Sequence, residues 1–369
     1  MKKLLLATSI LAGTASIAAA EITLSGDARM GFLDGFHYDD TEIDDIGFTS
    51  RARVGFTFSG ETDGGLSFGA SFRADNSSNA ANGTAGSVFL SGAFGKISMG
   101  DVDGAAVAAV GHVDGVGLTG LGDRNESAFI GNGGLGDDDL TDLESLDTTF
   151  GGDGTNFALT GDPSVLYEYT TGQVGLFVGL TNPGFQADFP DVGTDGITTD
   201  GSSWTLGANY KTDAYMFGIG YEDITVDLNN GTTGVNAANL SADHLYLGAD
   251  ATFGAFTGKI RWGQASIDTV DAAGVAIVAD DIPTDFDQWS VSGTYAMDAI
   301  SVTAFYADKQ FENSLGANVL ERQSYGLGAS YDLGGGASVV GGIVDDEFTN
   351  GAGTSLSDTS YDFGVSFSF

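Results

Sequence analysis

The stretch SYDFGVSFSF, Ser360 to Phe369, sets large apolar side chains on every second residue: Tyr361, Phe363, Val365, Phe367 and Phe369. Between them stand Asp362, Gly364, Ser366 and Ser368. Period-two alternation belongs to a β-strand with one apolar and one polar face. Ten residues is also about the length of a tilted strand that crosses a bilayer. The apolar face then meets lipid or a partner subunit, and the polar face meets water.

Working outward, the same pattern recurs along the 369-residue chain. Sixteen such segments are read, at 22–33, 47–59, 65–75, 86–94, 96–101, 163–170, 173–181, 202–211, 214–226, 242–253, 255–268, 286–296, 299–309, 321–332, 336–347 and 358–369. No window past residue 20 approaches the roughly 20 apolar residues of a membrane-spanning helix. A closed barrel is the other way to satisfy every backbone donor and acceptor in lipid, so the expected fold is all-β, a 16-stranded antiparallel transmembrane β-barrel. Glycine, at 58 residues against 4 prolines, sits inside these segments, as suits the bends of a curved wall.

Short turns are read at Gly60 to Gly64, Gly95, Thr171-Gly172, Thr212-Asp213, Gly254, Met297-Asp298 and Gly334-Gly335. They alternate with long Asp-rich connections, so both termini fall on the turn side. Tyr and Trp gather near segment ends, for example Trp204, Tyr221, Trp289 and Tyr306. Interfacial girdles place aromatics there, although aromatics also favour strands in general.

Residues 1–20 read as an export signal: Lys2 and Lys3, an apolar stretch from Leu4 to Ile17, then Ala18-Ala19-Ala20. Two domains of use follow, 1–20 as signal peptide and 21–369 as barrel. The formal charge of −38 makes nucleic acid an unsuitable partner. With no cysteine, disulfides and thiol chemistry are absent, and the three histidines are scattered. His244 falls on the inward face of its strand, opposite to Leu245 and Leu247, which argues against a lipid-facing hydrolase site and against an enzyme.

One connection stands apart. Residues 102–162 hold twelve acidic residues and one basic one, Arg124. So long a connection is expected to be functional. It is read as a loop folded into the barrel, with Ala105 to Val110 as a short helix. Alternation turns Arg29, Arg51, Arg53 and Arg73 inward on the first three strands. Facing them, Asp103, Asp114, Asp123 and Glu126 are the candidate loop carboxylates. Opposed rows of fixed charge create a transverse field that favours small hydrated polar solutes and ions over bulky apolar ones. The simpler reading of the arginines is a wall salt bridge, with Asp27 as partner. Farther along, Asp137, Asp138, Asp139, Asp142 and Glu144 concentrate hard oxygen ligands suited to Ca²⁺, or else form a solvated charge run. No cofactor is otherwise required.

ITLSGDARMGF, SRARVGFTFSG, SVFLSGAFGKISMGD, SYGLGASYDLGGGASVVGGI and the terminal Phe369 resemble the trimeric general porins of Gram-negative outer membranes, their alphaproteobacterial branch in particular. The resemblance covers nearly all of the chain after residue 20, the loops least. It implies a homotrimer of barrels passing small polar solutes, a third loop folded into each pore, and an arginine cluster carried here by Arg29, Arg51, Arg53 and Arg73. It further implies bound calcium near the acidic loop, a surrounding of outer-membrane lipid and lipopolysaccharide, and recognition of the last strand by the barrel-insertion machinery. Residues 132–161 depart from the family pattern as an insertion. A substrate-selective channel is the alternative, and a structural or adhesive barrel a third; the loop's few aromatics, Phe129, Phe150 and Phe157, favour the general pore over the selective one.

Overall fold

The computed structural model describes residues 21–35, 46–75, 84–129, 156–188, 197–230, 235–271, 274 and 283–369. Sixteen strands form one closed antiparallel barrel, each hydrogen-bonded to its neighbours in sequence and β1 to β16. They are β1 Glu21–Asp34, β2 Gly47–Glu61, β3 Ser67–Asp75, β4 Thr84–Gly92, β5 Gly95–Gly100, β6 Asn156–Thr171, β7 Val174–Asp188 and β8 Ile197–Lys211. The second half continues with β9 Tyr215–Asn230, β10 Val235–Phe253, β11 Phe256–Asp271, β12 Pro283–Met297, β13 Ile300–Asn313, β14 Asn318–Gly334, β15 Ala337–Asn350 and β16 Ser355–Ser368. Among the described residues one helix, α1 (Ala105–Val110), follows β5.

The C-terminal strand β16 closes the ring against β1. Met30 pairs with Val365 and Phe32 with Phe363, and Phe369 exchanges backbone hydrogen bonds with Gly26. Along β16 the residues Tyr361 and Phe363 are exposed while Ser360 and Asp362 are buried. The apolar set therefore lies outside the barrel and the polar set inside, the reverse of a soluble domain. Outer-face aromatics stack across strands, as Phe56 does on Phe72 with ring centroids 4.8 Å apart.

Strand ends differ from the sequence reading in one direction. β6, β7 and β10 begin or end several residues further toward the long connections than alternation suggests. Hydropathy alternates only where one face meets lipid, whereas backbone pairing continues beyond the membrane among polar residues. One turn also moves: Gly95 opens β5, and the turn is Ala93-Phe94. Gly172, Gly254, Asp298 and Gly335 occupy the left-handed region at other short turns, the conformation that a tight hairpin demands. Residues 1–20, read as the signal, and the acids at 137–144 lie outside the described residues.

Candidate functional site: the inner wall and its loop

Six residues cannot hold a helix by themselves, and α1 has no side-chain cap of its own. The wall supplies the caps instead. Thr205 Oγ1 on β8 accepts from the Ala105 amide at 2.8 Å, and Asn209 Nδ2 donates to Ala109 O at 2.9 Å. The helix thus lies against the inside of the barrel, where Ala105, Ala106, Ala109 and Val110 are buried.

Room for the loop is made by glycines paired across strands. Gly207 and Gly220 stand opposite each other on β8 and β9. A Cβ on either would run into Ala105, Ala106 or Ala109. Gly218 and Gly248 do the same beneath Ala109 and Val110, Gly328 and Gly342 beneath Val116 and Gly117, and Gly31 and Gly364 beneath Leu118. These positions need close approach of two backbones, which only glycine allows without displacement.

Side chains then pin the loop at intervals. Arg261 on β11 donates from Nε to Gly111 O (2.9 Å) and from Nη2 to His112 O (3.2 Å) while pairing with Asp250. Asp362 on β16 accepts from the amides of Leu118 and Thr119 and from the Thr119 hydroxyl, at 2.8, 2.6 and 2.8 Å. On the return limb, buried Asp346 on β15 sits between Arg322 (2.9 Å) and the loop's Arg124 (3.7 Å), and accepts from Ser324. Gln288 on β12 holds Ala128 by both its amide and its carbonyl. An apolar cluster of Val113, Val116, Leu121, Phe305, Ala307 and Val344 fills the space between loop and wall. The anchors of residues 105–129 therefore fall on β7–β16 and on β1.

Among the candidate charges, Arg29, Arg51 and Arg53 come together, within electrostatic reach of one another, and Arg29 also lies within reach of Asp123 and Asp362. Arg29 itself touches the loop, donating to Leu118 O at 3.2 Å. Arg51 pairs with Asp27 at 2.9 Å. Arg53 and Arg73 are half-buried on the inward faces of β2 and β3. Asp114 is held on the opposite side, 2.6 Å from Lys259 Nζ and bonded by Thr294. Glu126 stands 3.8 Å from His112. Asp103 lies at the loop's entrance, where burial, followed by the charges of Asp101 and Glu168, pushes its carboxyl above the usual range.

The sequence reading did not single out Arg261, Gln288, Arg322, Asp346 and Asp362. Their signal is an inward charged or amide side chain within a membrane strand, which needs a partner. For Arg261, Gln288, Asp346 and Asp362 that partner is the loop, far away in sequence, and Arg322 reaches it through Asp346.

A closed barrel that is apolar outside, polar inside and lined by a pinned loop is a transmembrane channel. The chain belongs to the Gram-negative porin family, whose pattern it matches over residues 7–351. It is 35% identical over 357 residues to a porin of Rhodobacter capsulatus, covering 95% of this chain and all of that one. A porin structure refined at 1.8 Å superposes with a TM-score of 0.63 at 31% identity, across 95% of this chain and 100% of that one. A variant of Rh. blastica porin, 22% identical with TM-score 0.53 over the same shares, agrees in fold. The protein is accordingly a general diffusion porin of the outer membrane, a multi-pass barrel and not an enzyme.

Proposed function

We propose that the constriction of this porin lies between the arginine cluster of β1–β3 and the carboxylates of residues 103–126, and that the field across it selects small hydrated polar solutes. The observation that carries this is the cluster of Arg29, Arg51 and Arg53 near Asp123, at the edge of a loop anchored elsewhere on the wall. Arginine keeps its charge at any pH the pore meets. Recordings with Arg51 and Arg53 replaced by glutamine test it: a shift toward cation selectivity is expected, and unchanged selectivity contradicts the assignment.

The functional unit is a homotrimer in this proposal. Phe32, Phe48, Phe68 and Phe72 leave a continuous exposed apolar face on β1–β3. Outward acids such as Asp223, Asp243, Asp308 and Glu321 follow the aromatics on β9–β14 instead. The first face suits a partner subunit, and the second the lipopolysaccharide layer, through bridging cations. Insertion by steps of three equal conductances supports the trimer, and single steps exclude it. Calcium at Asp137, Asp138, Asp139, Asp142 and Glu144 belongs to the same proposal. Chelation is expected to lower thermal stability. The barrel-insertion machinery is expected to read the exposed aromatic end at Phe363 and Phe369.

A further inference from the structure

We propose that Glu222, His244 and Gln288 form a proton-sensitive latch that holds the return limb of the loop, and that acid releases it. All three side chains are buried inside the barrel, with His244 and Glu222 fully so. The proposal rests on residues 102–129 being the constriction.

The hydrogen-bond pattern fixes the protonation state in which the latch is closed. Gln288 Oε1 accepts from the Ala128 amide at 2.9 Å and Gln288 Nε2 donates to the Ala128 carbonyl at 2.7 Å. A backbone amide can only donate and a carbonyl can only accept, so the Gln288 side chain has one orientation. Its Nε2 also lies 3.2 Å from His244 Nε2. Nitrogen Nε2 of Gln288 is a donor only, which makes the facing imidazole nitrogen the acceptor. The imidazole proton is then on Nδ1, donated to Glu222 Oε2 at 2.9 Å. The closed latch is the neutral imidazole, in one tautomer.

A second proton on His244 breaks this arrangement. It would sit on Nε2 and face a donor at Gln288, in a site from which water is excluded. Relief requires Gln288 to turn or withdraw, and either movement strips both hydrogen bonds from Ala128. Because the same imidazole touches Glu222 through Nδ1 and Gln288 through Nε2, proton uptake and release of the loop are coupled. Phe129, next in the chain, packs edge-on against Tyr246 and His244 and would move with Ala128.

The other charged or titratable groups about His244 are few among the described residues. Tyr246 follows on its own strand and binds Ser127. On β11, Gly263 lies against the imidazole, and Arg261, paired with Asp250, sits two residues away. β12 presents Gln288 and Phe286, and β13 sets the buried Lys309 in register with Gln288. The loop brings His112, which accepts from the Ser127 amide through Nδ1 and stands beside Glu126. Among the described residues His112 is thus the one competing imidazole, on the other side of Phe129.

The test is planar-bilayer recording of the full-length protein from about pH 8 to about pH 4.5, reading open-channel noise and ion selectivity together. Loss of two hydrogen bonds to one residue is expected to make loop excursions about tenfold more frequent at the acid end. His244→Gln should remain quiet throughout, Gln288→Ala should be noisy throughout, and His112→Gln should respond as the native chain does. If His244→Gln does not fold, Glu222→Gln decides, because it removes the carboxylate that accepts from His244: the acid response should then change. A native chain without an acid response, an unchanged response in either His244→Gln or Glu222→Gln, or a response abolished in His112→Gln overturns the latch. Selectivity at neutral pH reports the constriction, so failure of the latch with native selectivity is distinguished from failure of the constriction reading.

Discussion

Two arcs of the barrel wall use the same strand pattern for opposite ends. On β7–β16 the inward positions include glycines in facing pairs and side chains bonded to the loop, such as Arg261, Asp346 and Asp362. On β2 and β3 the inward positions include Arg51, Arg53, Arg73 and the exposed Thr57. Alternation alone does not distinguish the arcs, since both read as apolar outside and polar inside. The inward residues make the difference: glycine admits a second backbone, whereas arginine occupies the water itself. A loop emerging after β5 therefore lies along the far wall, and in the proposed function the water path follows the near one.

The largest disruption of this contrast is expected from Asp346→Ala. It leaves Arg322 and Arg124 buried without their common carboxylate, and unpairing a buried ion costs about 3–5 kcal/mol. A lowered thermal transition by circular dichroism, with increased channel noise, checks it. Next is Gly207→Leu, whose side chain would fall where Ala105 and Ala109 sit. Overpacking of about 1–3 kcal/mol should push α1 toward the lumen and reduce conductance, while the outer-face Ala208→Leu should leave conductance unchanged. The converse exchange, arginine for glutamine at 51 and 53, should alter selectivity severalfold without moving the thermal transition by much, because the Arg51–Asp27 pair is partly exposed.

The smallest effect concerns Asp103. Its folded carboxyl is held above the ordinary value of 3.8, so the folded state binds a proton more tightly than the unfolded chain. The group is then most favourable to folding below 3.8 and becomes a burden as pH rises through its raised value. Asp103→Asn should raise the transition at pH 7 by about 2 °C, and the gain should vanish below about pH 4.

Strand number, closure, facing and the six-residue helix were legible in the sequence because each depends on local periodicity or on small residues in a row. Tyr361, Phe363 and Val365 needed no distant information to declare their face. The anchors were not legible for the opposite reason. Asp362 contacts Leu118 and Thr119 across more than 240 positions, and Asp346 contacts Arg124 across another long interval. Only the barrel's closure brings them together. Asp114, likewise, takes its partner Lys259 from a strand far from the arginines. The glycines could have been read further: placed in register, Gly207 meets Gly220 and Gly328 meets Gly342, and paired gaps on an inner wall mark where a second chain segment will lie.

The chain has no cysteine, so single cysteines can report the two arcs directly. Thr57→Cys on the arginine arc, and Ser203→Cys and Ser290→Cys on the loop-bearing arc, would be treated with a small charged thiosulfonate during single-channel recording. Thr57 is exposed and the two serines are buried at 3% and 2%. Rapid modification with a drop in conductance at position 57, and none at 203 or 290, is the expected result. Equal reactivity at all three positions, or blockage only from positions 203 and 290, would contradict the division of the wall into a loop-bearing arc and a water-bearing one.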